Sequence, residues 1–279
     1  MSEQPAGAAT ENPLRFLRQI FALPNDDPLK TVAVAVALCL VCSLIVSIAA
    51  VGLRPLQEYN ESLALKREIL KIAGLYRPGQ DIDQAFAQLD ARLVDLASGE
   101  YVTDMDIGSY DMREAAADPE LALALTEDQD LARIRTRANI MPVYLLRDDG
   151  RLERLILPVY GYGLWSTMYG LLSLAPDGRT VKAVTFYDQL ETAGLGGEVA
   201  NPKWQKTWAG KKVADEAGEP RFEVVKGSVD PESPKAVYQV DALSGATLTS
   251  NGVTNLVRFW MGDLGYGPYL DRVRQGLEE

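Results

Sequence analysis

The stretch MPVYLLRDDGRLERLILP (Met141–Pro158) decides the fold. Two apolar runs, Pro142–Arg147 and Leu152–Pro158, flank Asp149-Gly150. An Asp-Gly pair between such runs suits the tight turn of an antiparallel hairpin. The pattern returns in Leu171–Ala175, the turn Pro176-Asp177-Gly178, and Val181–Tyr187. Phe222–Lys226 and Ala236–Val240 predict two further strands. Thr249 or Ser250 can then cap a helix from Asn251 to Met261, with Val253, Leu256, Val257 and Trp260 on one face. Residues 141–279 therefore predict an α+β domain with an antiparallel sheet.

Upstream of Met141 the texture is helical. Thr31 to Leu53 carries no charge and is bounded by Lys30 and Arg54. At about 1.5 Å per residue this run covers roughly 34 Å, enough for one crossing of a bilayer core. Ser47-Ile48-Ala49 resembles a signal-peptidase site, but a signal core is only about 7–15 residues long, so an uncleaved anchor is expected. Arg15, Arg18 and Lys30 before the run nearly balance Arg54, Lys66, Arg67 and Lys71 after it, so charge does not orient it. Glu58–Ala73 has helical periodicity ended by Gly74. Ile82, Phe86, Leu89, Leu93 and Leu96 predict a second amphipathic helix, and Asp104–Thr136 reads as helix and loop. The organisation expected is a tail over 1–30 with a short amphipathic piece around Leu14–Phe21, a transmembrane helix over 31–53, a helical linker region over 54–140, and the sheet domain over 141–279.

Composition removes much chemistry. The net charge of −11 argues against nucleic acid as a partner. The absence of histidine excludes His-based triads, HExxH zinc sites and His-ligated haem. A hydrolase built on Ser244 or Thr247 has no base to activate it. The only two cysteines, Cys39 and Cys42, cannot by themselves hold a zinc or an iron–sulfur cluster. At this spacing in the apolar run they are either small apolar residues of a membrane helix or thiolates offered to a metal shared with a partner. No metal site is assigned to this chain alone.

Three glycine-rich stretches fill the rest: Tyr160–Ser166, Glu191–Glu198 and Asp241–Ser250. None is a phosphate loop of the GxxxxGK[ST] kind or a GxGxxG between strand and helix. The third runs from a predicted strand into a helix start, where unpaired N–H groups and the helix dipole favour a phosphate. Turns and a plain helix cap are the more ordinary account of the same residues, since glycine stretches are common between strands.

The segment DALSGAT (Asp241–Thr247) resembles the flavinylation motif of the covalent-FMN-binding domain family. ETAGLGGEV (Glu191–Val199), GLWSTMYG (Gly163–Gly170) and VGLRPLQ (Val51–Gln57) at the exit of one membrane helix strengthen the likeness. Together they resemble the branch of the family that serves a membrane Na⁺-pumping NADH:ubiquinone oxidoreductase. The family usually has Pro where this chain has Ala193, which loosens that loop. The resemblance implies one FMN per chain, joined through a phosphoester to Thr247 by a flavin transferase during maturation. Ser244, Gly245 and Ala246 would line the phosphate. Gly163, Leu164, Trp165, Glu191, Thr192, Gly194, Leu195 and Gly196 would approach the ring. Asp241 is given a role during attachment. Trp165 has core packing as its alternative, and Glu191 a solvated loop charge or an acceptor for the ring N–H. No catalytic residue is implied beyond the flavin, since the cofactor carries the redox chemistry.

The implied role is an electron relay among other subunits, anchored singly in the lipid bilayer of the bacterial inner membrane. The flavin domain would face the periplasm and the tail the cytoplasm. A homologous relay subunit of an Rnf-type ferredoxin:NAD oxidoreductase is the near alternative. A flavin-free, membrane-tethered assembly module, with Ser244–Thr247 a mere helix cap, is the distant one.

Overall fold

The computed structural model describes residues 22–277, so the amphipathic piece expected at Leu14–Phe21 lies outside the described residues. Two compact units divide at residues 62 and 63.

The first unit is built on helix α1 (Pro28–Ala73), whose last turns belong to the second unit. Asp27 accepts a hydrogen bond from the Leu29 N–H at 2.8 Å and Pro28 takes the first helical position, a normal helix start. None of the apolar part is buried, and it is long and apolar enough to cross a membrane. The expected span of 31–53 and the expected helix Glu58–Ala73 are one continuous helix, interrupted in sequence only by Pro55. Cys39 and Cys42 are both exposed and free on it.

The helix stops at Gly74, whose φ of +80° suits a glycine. Leu75 N–H bonds the Leu70 carbonyl and Gly74 N–H bonds that of Lys71, the paired closure of a Schellman end. After it come α2 (Ile82–Phe86), β1 (Asp90–Asp95), β2 (Tyr101–Val102), α3 (Met112–Ala117), β3 (Ala122–Ala124) and β4 (Thr136–Ala138). The helix expected over Ile82–Leu96 is thus corrected to one short turn of helix and a strand. Val94 is buried as fully as Leu93, which breaks a helical stripe, and β1 pairs along β5 with Leu93 opposite Pro142. Tertiary pairing overrides the local helical spacing here. The region 54–140 is accordingly not all helical: it supplies β1 and β2 to the main sheet, and β3 and β4 form their own hairpin.

The sheet continues with β5 (Ile140–Asp148), β6 (Arg151–Tyr162), β7 (Thr167–Leu174) and β8 (Val181–Asp188). Six strands lie in the order β2-β1-β5-β6-β7-β8, every neighbour antiparallel. The hairpin turn at Asp149-Gly150 has φ of 47° and 78°, as the expected tight turn requires. β6 runs four residues beyond the predicted Pro158, so the first glycine-rich stretch begins inside a strand.

Downstream lie α4 (Pro202–Gln205), the short β9 (Glu223–Val224) and β10 (Gln239–Val240), then α5 (Thr247–Met261) and α6 (Gly267–Arg274). β9 and β10 pair in parallel outside the main sheet, and Ala236–Tyr238 is a 3₁₀ turn rather than strand. Alternate residues of the central strands go to opposite faces. Met141, Val143, Leu145, Leu155 and Leu157 meet Leu256, Val257 and Trp260 of α5. Tyr144, Leu146, Ile156 and Leu171 meet Ile69, Leu70 and Ile72 at the end of α1. Helices on both faces explain why the strands read as nearly continuous apolar runs.

Candidate functional site

Three loops converge where α5 begins. The turn Gly163–Ser166 joins β6 to β7. A second loop leaves β8 through Glu191–Leu195 into the 3₁₀ turn Gly196–Ala200. The third is Asp241–Ala246, leading into α5. The Glu191 carboxylate, only 7% exposed, ties them together. Its Oε1 accepts from the N–H groups of Leu164 (3.0 Å), Trp165 (2.9 Å) and Ser166 (3.3 Å). Its Oε2 accepts from the Thr249 hydroxyl at 2.6 Å. Burial pushes this carboxyl upward, but the Thr249 hydroxyl and the three backbone donors outweigh it and hold it below the usual carboxylate range. The Ser166 hydroxyl adds a further tie, accepting from Leu190 N–H at 2.9 Å.

Glycines stand at the convergence where this packing crowds out a side chain. A Cβ on Gly163 would lie 2.6 Å from Glu191 Oε1. Gly245 has φ of +69°, and its Cβ would meet Leu195 Cδ2 at 2.9 Å.

Helix α5 starts at Thr247, and no side chain caps it. The caps expected from Thr249 or Ser250 are corrected: both lie inside the first turn and bond elsewhere. Thr249 donates to Glu191, and Ser250 Oγ accepts from Leu243 N–H at 3.1 Å. First-turn N–H groups without a side-chain acceptor, beside an exposed Thr247 hydroxyl, are an arrangement suited to an anion. Around it the loops expose Leu164, Trp165, Leu190 and Leu195, and α5 exposes Leu248, apolar side chains normally withdrawn from water. An uncapped helix end beside an apolar rim suits a ligand with a phosphate and a flat apolar body.

Residues 163–262, which hold all three loops, match the FMN-binding domain family. Over 257 residues the chain is 47% identical to the C subunit of the Na(+)-translocating NADH-quinone reductase of Yersinia pestis, covering 90% of this chain and 95% of that one. The C subunit of the same reductase in Pseudomonas aeruginosa is 48% identical over 256 residues, covering 90% and 98%. This chain belongs to the C-subunit family of the Na(+)-translocating NADH-quinone reductases. The crystal structure of NqrC from Shewanella oneidensis superposes with a TM-score of 0.69 at 35% identity, covering 76% of this chain and 96% of that one. That of the reductase's C subunit from Parabacteroides distasonis gives 0.58 at 28% identity, covering 78% and 96%. Membership of the C-subunit family sets aside the Rnf-type alternative.

Within this family member the residues singled out from sequence fall into distinct places. Thr247, Ser244, Leu164, Trp165, Thr192, Gly194 and Leu195 are exposed at the convergence. Trp165, at 65% exposure, is not a core residue. Gly163, Gly196 and Ala246 are buried beneath them. Glu191 is not a solvated loop charge: it is buried and takes four hydrogen bonds from this chain's own donors. Asp241 is occupied locally: Oδ1 accepts from Val229 N–H at 2.8 Å, and its carbonyl from Trp204 Nε1 at 2.9 Å. Sequence reasoning did not single out Ser166 or Gly252. Gly252 lets α5 approach the end of β6, where its Cβ would meet the Tyr162 carbonyl at 2.7 Å. A glycine in the middle of an apolar helical stripe is the one signal that pointed to it.

Proposed function

We propose that this chain is the electron-relay subunit of a membrane Na⁺-pumping NADH:ubiquinone oxidoreductase, with one FMN joined through a phosphoester to Thr247. The observation that carries the reading is the exposed Thr247 hydroxyl at the uncapped start of α5, beside the apolar rim. Bound there, FMN would supply the electron-carrying chemistry that a chain without histidine and with two membrane-helix cysteines lacks.

The chain's own residues do the positioning. Thr247 tethers, and the first-turn N–H groups of α5 meet the phosphate charge. Leu164, Trp165, Leu195 and Leu248 shield the ring from water. Glu191 acts through other residues: it fixes the turn that carries Leu164 and Trp165 to Thr249 in the first turn of α5. Asp241 holds the loop at Val229 against the attachment motif. Helix α1 anchors the chain in the bacterial inner membrane with the flavin domain on the periplasmic side, where other subunits of the complex deliver and collect electrons. A flavin transferase installs the cofactor.

The test is in-gel fluorescence of the full chain, co-expressed with the transferase, on a denaturing gel. The wild-type band fluoresces and the Thr247→Val band is dark, and complexes carrying that variant lose quinone-directed electron flow. A fluorescent Thr247→Val band removes the tether from this residue. A dark wild-type band, with the transferase active on another substrate, leaves the flavin-free assembly module as the reading.

A further inference from the structure

A concavity of about 700 Å³, lined by none of the rim residues, lies between the Asp130–Thr136 loop, α3 and the ends of β6 and β7. We propose that it is a binding site for a small organic oxyanion, a molecule presenting a phosphate or carboxylate group to Arg133 and Arg135.

The volume is that of a small-molecule site. Its wall carries Arg113, Arg133 and Arg135 against a single acid, Asp130. Arg113 is already neutralised by Asp188 at 2.7 Å and lies flat over the Tyr169 ring at 3.7 Å. Arg133 sits over the Tyr162 ring at 5.0 Å, and neither it nor Arg135 has a carboxylate partner among the described residues. Asp130 does not quench them by contact. Its carboxylate accepts from the N–H groups of Ile134 (2.7 Å) and Arg135 (2.8 Å), and so shapes the loop that presents the two guanidinium groups.

That loop is held in a costly conformation. Arg133 and Arg135 have φ of 57° and 66°, the left-handed region that long side chains avoid and that clusters at functional sites. The loop is fastened to the sheet by Tyr162 N–H on the Ala132 carbonyl at 2.8 Å. Tyr160, which lines the cavity, is only 5% exposed. Guanidinium forks match planar oxyanions in two-point contact, and the excess of positive charge in an acidic protein makes the ligand's sign negative.

None of the residues named for the flavin lines this cavity, so its test does not depend on the flavin reading. Calorimetric titration of the full flavinylated chain in detergent tests it. Sodium phosphate and sodium succinate are each compared with sodium chloride at matched ionic strength. At least one oxyanion binds saturably at one site per chain, and Arg133→Gln and Arg135→Gln each weaken it tenfold or more. Arg135→Lys, which keeps the charge and loses the fork, falls between. Preference for phosphate identifies a phosphorylated ligand, and preference for succinate a carboxylate. Melting temperature and flavin fluorescence equal to wild type certify that the variants are folded. Absence of saturable binding by both oxyanions, or equal binding in the Arg133→Gln/Arg135→Gln double variant, overturns the site.

Discussion

The two ends of helix α5 obey opposite rules. Its last turns are buried: Phe259, Trp260 and Met261 are nearly inaccessible, and Trp260 donates Nε1–H to the Tyr160 carbonyl at 2.6 Å. The Trp260 ring packs on Tyr160 at 4.9 Å and on Tyr266 at 5.4 Å. Its first turn has no side-chain cap, an exposed hydroxyl at Thr247 and an exposed leucine at Leu248. One end satisfies its groups and contributes stability. The other leaves donors and apolar surface free for a ligand. Where local rules fail at one end of an otherwise well-formed element, a functional site is the expected cause.

The comparison predicts that damage at the buried end is large and falls on stability. Trp260→Ala should cost about 3–5 kcal/mol, the range for emptying a large buried aromatic site. Denaturant unfolding of the detergent-solubilised chain measures it. The fraction that still folds should accept flavin normally on a denaturing gel. A cost below about 1 kcal/mol would break the contrast between the two ends.

Glu191 comes next, because it belongs to the site yet is satisfied like a core residue. Charge-assisted hydrogen bonds are worth about 1.5–3 kcal/mol each, so Glu191→Gln should destabilise by about 2–3 kcal/mol at neutral pH. The carboxyl is held below its ordinary value, with burial opposing and Thr249 and the backbone donors prevailing. Such a group contributes its full stability above the unfolded value, about 4.3, and loses it as pH falls through the lower folded value. The gap in melting temperature between wild type and Glu191→Gln should therefore be widest above about pH 5 and close in stronger acid. A gap that widens on acidification would show that Glu191 is held protonated, and the loops would need another fastening.

The sheet was legible because its strands announce themselves. Asp149-Gly150 and Asp177-Gly178 mark turns by backbone chemistry that only a few residues allow, and both hairpins stand where expected. Strand β1 was not legible: Leu89, Leu93 and Leu96 carry helical spacing, and only pairing with distant β5 makes the segment extended. The site divides in the same way. Glycine-rich loops and DALSGAT marked where a ligand would lie, since open backbone is visible in sequence. The roles of Glu191 and Thr249 were hidden, because a single hydrogen bond between residues 58 positions apart leaves no local pattern. The arginine-lined cavity was hidden for a related reason: Arg113 and Arg133 meet only through the tyrosine rings of β6 and β7.

The smallest stability effect belongs to the exposed end, and it separates shielding from structure. Leu248 is 58% exposed, so its side chain contributes little to the folded state. Leu248→Ala should change stability by no more than about 0.5 kcal/mol, as surface substitutions do. Alanine also has the highest helix propensity, which offsets part of the lost contact. If the apolar rim serves a flavin, the same substitution opens one side of the ring to water. Iodide should then quench the flavin fluorescence of Leu248→Ala more steeply than that of wild type, with covalent loading unchanged. Equal quenching would mean that Leu248 faces another subunit and that Leu164, Trp165 and Leu195 alone cover the ring. Loss of loading would instead place Leu248 in the surface that the transferase grips. In either case the exposed end of α5 serves recognition, while the buried end carries the fold.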